Sequence, residues 1–469
     1  MDGYYAWMLM ATSLVLMMTT PALALFYGGM SGSKSVLNMM MMSFSAMGVI
    51  GIVYVLWGWS MSFAGDDVGT LFANPFDAFG LEGVDWGSYI AVGFQMTFAV
   101  ITAALISGAI AGRVKFSAWM VFLPIWITLS YFPLAHMVWG GGFLSGANPD
   151  GLSARLFGFA DGVANIAPQD YAGGTVVHIN AGMAGLVLVL LIGKRLGFGS
   201  EPMRPHNLTL TMIGAGLLWF GWFGFNVGSI VFLAGDGGAK DTAQFMTETG
   251  VTWMNTTLAT CAAMLAWLAV ERIMHGKATS LGAASGIVAG LVAITPSCGA
   301  VGVYGALFIG VAAGALCAWA VGLKYKLGYD DSLDVVGVHL MGGIVGTILI
   351  GLLATEVMTG GPEGLFYGGG FTQLGKQVLA VAVVALYAFG VTYALGKLID
   401  RIFGFRVSAE DESSGIDLAL HAESAYEHGV LGHGPGGGGQ GNSVFPWMHE
   451  AERRRHLDAE RKQKPSDPE

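Results

Sequence analysis

Long apolar runs recur along most of the chain, and their length constrains the fold more than any other feature of the sequence. A helix of about 20 apolar residues crosses a bilayer with its backbone hydrogen bonds made inside the segment. Hydrophobic residues make up 54% of the sequence and charged residues only 12%, a composition typical of polytopic membrane proteins. We therefore predict an all-α polytopic membrane protein with about eleven transmembrane helices. The runs lie at about 7–26, 38–63, 89–111, 118–138, 171–193, 208–232, 249–270, 281–297, 304–323, 335–355 and 377–399.

Basic residues indicate the orientation, because they concentrate in cytoplasmic loops. They occupy every second loop, from Lys34 to the cluster around Arg401 and Arg406. The first run is expected to stay as a span, since Asp2 and no basic residue precedes it, unlike a signal peptide. The N-terminus is therefore expected outside and the C-terminus in the cytoplasm. If helices one to five and six to ten are two copies, their odd number predicts an inverted five-helix repeat plus a final helix.

Two histidines, His178 and His339, lie inside apolar runs that match each other. Both begin the pattern H-x-x-x-G-x-x-G, in segments 178–185 and 339–346. An ionisable side chain inside a transmembrane helix is rare and usually functional. Equivalent helices of a repeated membrane protein are thus predicted to bring one imidazole each to a shared path near the midplane.

The depths of the two histidines agree less well than their patterns. At 1.5 Å per residue, His178 lies roughly 12 Å below the outer edge of its run and His339 about 8 Å above the inner edge of its own. In a hydrocarbon core of roughly 30 Å, these depths leave about 10 Å between them. The gap closes if the tenth helix begins below the membrane surface, which would bury Asp334 in protein.

Two other interpretations of the histidines stay open at this point. A lone membrane histidine is often satisfied by a carbonyl of a neighbouring helix. Haem or metal ligation usually needs further ligands at helical spacing, and no second His or Cys lies three or four residues from either one. We therefore predict no metal site and no cofactor.

Aromatic residues accompany the histidines on three other predicted helices. Phe98 lies in the third, Trp139 ends the fourth, and Phe225 lies in the sixth, close to the hydroxyl of Ser229. Aromatic faces attract cations, so a Trp near a mouth with a hydroxyl beside it is suited to hold a small cation. The alternative for each residue alone is an interfacial belt or ordinary packing.

The helices that carry the histidines are each preceded by a carboxylate, Asp170 and Asp334. A carboxylate at a helix N-terminus accepts hydrogen bonds from the free backbone N–H groups there. Both residues are therefore predicted to be structural caps. The segment GGMSGSKS around Lys34 is not an ATP-binding loop, because Ser33 stands where a P-loop has glycine.

The C-terminal part has a different composition. From Ser408 onward the chain carries twelve acidic and six basic residues, which accounts for −6 of the net charge of −10. The sequence HGPGGGGQGN at 433–442 predicts a flexible linker, followed by a charged stretch whose role is unexplained. The basic cluster 453–455 is short and has acidic neighbours, so a nucleic-acid partner is not expected.

Seven of these segments together resemble the ammonium transporters of the Amt/Mep/Rh family, and most closely the bacterial Amt branch. The resemblance covers about residues 4 to 426, motif by motif and in order. The segments are FYGG at 26–29, GFQMTFAVIT at 93–102, AHMVWGGG at 135–142, DYAGGTVVHINA at 170–181, GWFGFNVGS at 221–229, ITPSCG at 294–299 and DVVGVHLMGG at 334–343.

The resemblance implies a role for each candidate residue. Trp139, Ser229 and Phe98 match an outer site that recruits ammonium, and Phe98 and Phe225 match two rings that stack as a gate. His178 and His339 match the family's twin histidines, expected to line an apolar pore and relay protons. Asp170 matches an aspartate that supports the recruiting site. Tyr171 departs from the family, where Phe is frequent, and we expect little effect.

The resemblance also implies an assembly and a location. It implies a homotrimer with one pore per subunit in the plasma membrane, acting as a transporter rather than an enzyme, and a possible PII-type regulatory partner at the cytoplasmic face. GIDLALHAESAY at 415–426 resembles the family's cytoplasmic C-terminal segment. The expected domains are a transporter domain, 1–406, a regulatory segment, 407–432, and a disordered extension, 433–469. The alternative function is an ammonium sensor that signals through the C-terminal tail.

Overall fold

The structure is a computed structural model, and it describes residues 2–164, 167–201, 203–230, 242–355 and 363–426. The predicted linker and charged extension at 433–469 lie outside the described residues. Within the described ranges the chain is mostly helical, in agreement with the predicted all-α class.

Ten helices in the described part of the chain are long and apolar enough to cross a membrane. An eleventh, α8, has 15 residues. At 1.5 Å per residue α8 is roughly 22 Å long. The helices are α1 Gly3–Met30, α2 Val36–Gly58, α3 Trp86–Ala109, α4 Phe116–Val138, α5 Gly174–Ile192, α6 Leu208–Gly228, α7 Phe245–His275, α8 Ser280–Ile294, α9 Val303–Leu327, α10 Val336–Leu353 and α11 Thr372–Phe403.

Each of the eleven predicted apolar runs corresponds to one of these helices. Most of α8 is buried, from Ala284 to its last residue, Ile294. This helix packs among its neighbours rather than against lipid, so a short apolar length suffices. Which helices cross a bilayer completely, and in which direction, stays a prediction.

Shorter elements lie between and after the long helices. Two small antiparallel ribbons pair Asp67–Val68 with Phe72–Ala73 and Phe159–Ala160 with Val163–Ala164. Two single-turn 3-10 helices, one π-helical turn and three short α-helices also lie there: Phe79–Leu81, Leu365–Tyr367, Ser60–Ala64, Leu152–Phe157, Ala409–Ser414 and Ile416–His421.

The two helices that carry the histidines begin with the same irregular turn. Gly174–Ile179 opens α5 and Val336–Leu340 opens α10 as π-helical turns. Regular α-helix follows in both, starting two residues after the histidine. Such turns are rare and frequently mark functional sites. The matching turns agree with the predicted internal repeat.

The glycines of the two matching patterns let α5 and α10 cross at close range. A Cβ on Gly182 would lie 2.5 Å from the backbone nitrogen of Leu340, next to His339. A Cβ on Gly343 would lie 3.0 Å from the side chain of Ile179 and 3.2 Å from Cβ of His178. Each helix therefore places its glycine against the histidine turn of the other, where any larger residue would separate them.

Candidate functional site

The two imidazoles lie against each other in the interior. Nδ1 of His178 and Nδ1 of His339 are 3.3 Å apart, and the ring centroids are 5.3 Å apart with 22° between the planes. The side chains are 1% and 3% exposed. The first turns of α5 and α10 thus deliver both histidines to one point, although counting along the runs left a gap between them.

The gap closes because α10 begins inside the protein. The segment before it is held down by Arg113, whose Nη2 donates to the Asp330 carbonyl at 2.5 Å and whose Nη1 donates to Ser332 Oγ at 2.6 Å. Asp330 and Asp331 are completely or almost completely buried. Burial lowers the pKa of Arg113 to about 10, partly offset by Asp330, so the guanidinium stays charged near neutral pH.

Asp170 and Asp331 cap the two histidine helices. The Asp170 carboxylate accepts from the backbone N–H groups of Gly173, Gly174 and Thr175 at 2.6–2.9 Å, and also from the Thr175 hydroxyl. This is the capping arrangement that the sequence predicted for Asp170.

The predicted cap on the other helix was wrong by one turn. Asp331, rather than Asp334, accepts from the N–H groups of Val335 and Val336, at 3.1 and 2.7 Å. Asp334 instead forms an ion pair with Lys324 at 2.5 Å, and its side chain is 21% exposed. Because Asp334 has a positive φ of 63°, it stands in the tight turn before the helix, where its carboxylate does not cap.

Phe98 and Phe225 lie between the histidines and Trp139. Their rings are stacked with centroids 4.0 Å apart and only 6° between the planes. Both are buried. The Phe225 ring centroid lies 6.3 Å from that of the His178 ring, so the stacked pair adjoins the histidines directly.

Trp139 and Ser229 lie beyond this stacked pair. The Trp139 ring stands edge-on to Phe98, with centroids 6.2 Å apart, and its Nε1 donates to the Asp170 carbonyl at 2.8 Å. The Ser229 hydroxyl donates to the Phe225 carbonyl at 2.8 Å, which leaves its oxygen lone pairs available. Both side chains are partly exposed.

Two narrow cavities adjoin the imidazole pair. Each has about 10 Å³ accessible to the centre of a water-sized molecule, which is about the space of one water. The first reaches from Phe225 past His178 to His339, and the second from His339 to Asp334. Their other lining residues are mostly apolar: Met18, Leu23, Phe26, Tyr27, Met30, Ile101, Leu105, Leu218, Trp222, Ser285, Val288, Leu333 and Val338.

Sequence reasoning noted Trp222 as an aromatic residue of the sixth helix but gave it no role at the site, and it missed Asp331. Trp222 stacks on the face of His178 with centroids 5.5 Å apart and 16° between the planes. The sequence does hold a signal for Trp222, because it lies three residues before Phe225 and this helical spacing places both on one face of α6. Asp331 was missed because Asp334 lies closer to the helix and was predicted to be its cap. In the described ranges no three His, Cys, Asp or Glu side chains cluster as they would around a metal ion.

Comparison with known proteins identifies the family. A model of the Ammonium Transporter Family matches residues 6–426. The ammonium transporter of Mycobacterium tuberculosis (strain ATCC 25618 / H37Rv) is 50% identical over 458 residues, covering 91% of this chain and 91% of that protein. The ammonium transporter of Bacillus subtilis (strain 168) is 42% identical over 426 residues, covering 88% of this chain and 96% of that protein.

Solved structures agree with the sequence comparison. The crystal structure of Candida albicans Mep2 has a TM-score of 0.75 at 30% identity, covering 88% of this chain and 87% of that chain. A structure named Sensor Amt Protein has a TM-score of 0.75 at 27% identity, covering 89% of this chain and 97% of that chain. This protein, with its apolar helices and paired histidines, belongs to the Ammonium Transporter Family, a family of multi-pass membrane proteins.

Proposed function

We propose that this protein transports ammonium across the plasma membrane and moves it through the pore as ammonia. The observation that carries the proposal is the imidazole pair, 3.3 Å apart between Nδ1 atoms, beside two mostly apolar cavities that extend from Phe225 to the partly exposed Asp334. Relatives named ammonium transporters support the substrate.

Ammonium first binds at the outer aromatic site. The Trp139 ring offers its π face to a cation, Phe98 stands edge-on beside it, and the Ser229 oxygen accepts a hydrogen bond. Asp170 supports this site in two ways, because its carbonyl holds the Trp139 ring while its carboxylate caps α5.

The ion then loses its proton before it passes the gate formed by Phe98 and Phe225. A bare ammonium ion in an apolar channel is unfavourable by several kcal/mol or more. Neutral ammonia avoids that penalty and is close in size to the water-sized cavities beside the histidines. Potassium has no proton to give, so it cannot follow the same route.

The histidines carry the proton separately or hold ammonia by hydrogen bonds. A neutral imidazole has one ring nitrogen that accepts a proton and one that donates a proton, so two adjoining rings can pass a proton between them. A proton taken by His178 passes to His339 across the Nδ1 contact, while ammonia moves through the adjoining cavities. At the cytoplasmic end, near Asp334 and Lys324, ammonia is protonated again, either by the proton that His339 releases or by water, which then leaves hydroxide. This relay leaves the net charge of transport to experiment.

The proposal extends to assembly and regulation. The transporter domain, 1–406, forms a homotrimer with one pore per subunit, with its N-terminus outside. The segment 407–432 acts at the cytoplasmic face, and its described part contacts loops there. The Asp417 carboxylate accepts from the N–H groups of Leu37 and Asn38 at 3.1 and 2.8 Å. A PII-type regulator is a candidate partner for this face.

An ammonium sensor is the second candidate function. The structural similarity to a Sensor Amt Protein favours it, as do the contacts between the C-terminal segment and the loops beneath the helices. A sensor binds ammonium at the same outer site but produces little net flux. Ammonium-evoked current and uptake in proteoliposomes distinguish the two functions, because a sensor gives neither at a transporter's rate.

The relay is tested by replacing each histidine separately with alanine in proteoliposomes. His178→Ala or His339→Ala removes one proton acceptor and leaves its partner unpaired in an apolar cavity. We expect selective ammonium transport to be abolished in both variants while the purified protein stays folded. Wild-type ammonium uptake in either variant, without a gain in potassium flux, would contradict the relay.

A further inference from the structure

The His178 ring is fixed by very few contacts. Its Nδ1 faces His339, and its Nε2 is buried without a hydrogen-bond partner in the described part of the chain. Apart from His339, the residues that line the cavity reaching from Phe225 past His178 are apolar or aromatic. Apart from His339, the contact that sets the plane of the ring is the stacked indole of Trp222.

Trp222 is itself held from behind by hydrogen bonds. Its Nε1 donates to Thr295 Oγ1 at 2.8 Å, and Thr295 directly follows α8. The Thr295 hydroxyl lies 2.7 Å from the Leu291 carbonyl and 3.3 Å from Asn226 Oδ1. Asn226 Nδ2 in turn donates to Thr256 Oγ1 at 3.0 Å.

This buried network joins three helices behind the pore. Asn226 lies on α6, Thr256 on α7 and Leu291 on α8. Thr256, Thr295 and Asn226 have no exposed surface. Because buried polar groups that satisfy each other restrict side chains to one arrangement, the network fixes the indole plane.

The geometry points to Trp222 as a positioning residue for the proton relay, locked by Thr295 and stacked on His178. This inference rests on the proposed function of the histidine pair. The indole keeps His178 turned so that Nδ1 faces His339. Its π face also lies parallel to the imidazole at the moment when that ring gains a positive charge, and an aromatic face stabilises a desolvated cation.

Four variants in proteoliposomes test the role of Trp222. Trp222→Leu removes the aromatic face, Trp222→Phe keeps a face but loses the N–H donor, and Thr295→Val removes the acceptor at nearly constant volume. Trp219→Leu, one turn earlier on the same helix, is the control for general loss of packing. Ammonium-evoked current is measured against ammonium concentration, alongside unfolding temperature.

We expect Trp222→Leu to lower the maximal current by about tenfold or more. The half-saturating ammonium concentration should stay near the wild-type value, because the outer site at Trp139 and Ser229 is untouched. Trp222→Phe should recover much of the maximal current, and Thr295→Val should lose several-fold of it. Trp219→Leu should change the unfolding temperature without this selective loss.

Other results would overturn the inference. Equal maximal currents in Trp222→Leu and Trp219→Leu would remove the positioning role. A Trp222→Phe variant with no more current than Trp222→Leu would remove it as well. If Trp222→Leu does not fold, Thr295→Val with wild-type current has the same meaning. His178→Ala tests the relay separately from the role of Trp222. Wild-type transport in His178→Ala would overturn the relay itself. An inactive His178→Ala variant together with unaffected Trp222 variants would leave the relay and discard only the role of Trp222.

Discussion

In the proposed outer site, the hydrogen bonds of individual side chains decide how a cation would be held. The Ser229 hydroxyl gives its hydrogen to the Phe225 carbonyl, so its oxygen is left to accept from a ligand. The Trp139 ring is fixed by its hydrogen bond to the Asp170 carbonyl, so little freedom is lost when a cation binds to its face. The same aspartate therefore links the outer site to the start of α5.

Replacing these two groups should weaken recruitment rather than abolish transport. Loss of the cation–π face in Trp139→Leu and of the acceptor in Ser229→Ala each removes about 1 kcal/mol in a partly wet site. The half-saturating ammonium concentration should rise several-fold in each variant, with a smaller effect on maximal rate, as measured by uptake in proteoliposomes.

The matched control is Trp86→Leu, since Trp86, like Trp139, stands at the end of a long helix but is 84% exposed. It should leave ammonium affinity unchanged. Complete loss of transport in Trp139→Leu or Ser229→Ala would place these groups inside the barrier to transport instead of at its mouth.

At the scale of the helical element, α10 begins at the buried carboxyl group of Asp331. Asp331 caps this helix from a position with almost no exposed surface. Burial raises the pKa of Asp331 from 3.8 to about 6; Lys324 opposes the rise and Asp334 adds to it. The helix that carries His339 thus begins at a carboxylate that is unfavourable to ionise in the folded state.

The sign of the pH effect follows from this raised pKa. Between about pH 4 and pH 6 the folded protein holds the Asp331 proton while the unfolded chain has released it, so this group makes folding less favourable as pH rises. Asp331→Asn should remove this contribution, and the difference in unfolding temperature between variant and wild type should shift in favour of the variant from pH 4 to pH 6.

Unfolding in detergent, followed by circular dichroism at several pH values, measures this difference. Glu410→Gln, which replaces an exposed carboxylate, is the control and should run parallel to the wild type. A difference between Asp331→Asn and wild type that stays constant across the window would show that Asp331 ionises in the folded state as it does in the unfolded chain.

For the whole molecule, the C-terminal segment connects loops that are distant in sequence. Glu412 accepts from the Leu196 N–H at 2.6 Å and pairs with Arg406 at 2.8 Å. His421 lies 3.0 Å from Asn38 Oδ1, beside the helix start that Asp417 caps. These contacts tie the start of α2 and the loop after α5 to one short segment.

Two truncations test this connection. Cutting after Gly432 keeps every described contact of the segment, so uptake and oligomeric state should match the wild type. Cutting after Arg406 removes Glu412, Asp417 and His421, and uptake should fall because the N–H groups at the start of α2 lose their carboxylate. Size-exclusion chromatography checks that both proteins remain assembled.

Equal uptake in the two truncated proteins would discard a role for residues 407–432 in transport. Loss of activity already after the cut at Gly432 would show that the extension at 433–469 takes part. Ammonium-dependent signalling without uptake in the full chain would favour the sensor.

The sequence by itself determined the number, length and order of the apolar helices, because a bilayer-spanning helix must be long, apolar and internally hydrogen-bonded. It also showed that His178 and His339 occupy matching positions, since each begins the same H-x-x-x-G-x-x-G pattern. The aromatic residues of the outer site and Asp170 were identified in the same way, from residue type and position along a helix.

Only the tertiary structure decided how these residues meet. The 10 Å estimated between the histidines closed because Arg113 buries the segment before α10, through contacts with residues more than 200 positions away. The same burial made Asp331 the helix cap in place of Asp334. The position of Trp222 on His178 likewise depends on Thr295 from another helix. Periodicity and run length report local structure, whereas these contacts depend on which helices pack together.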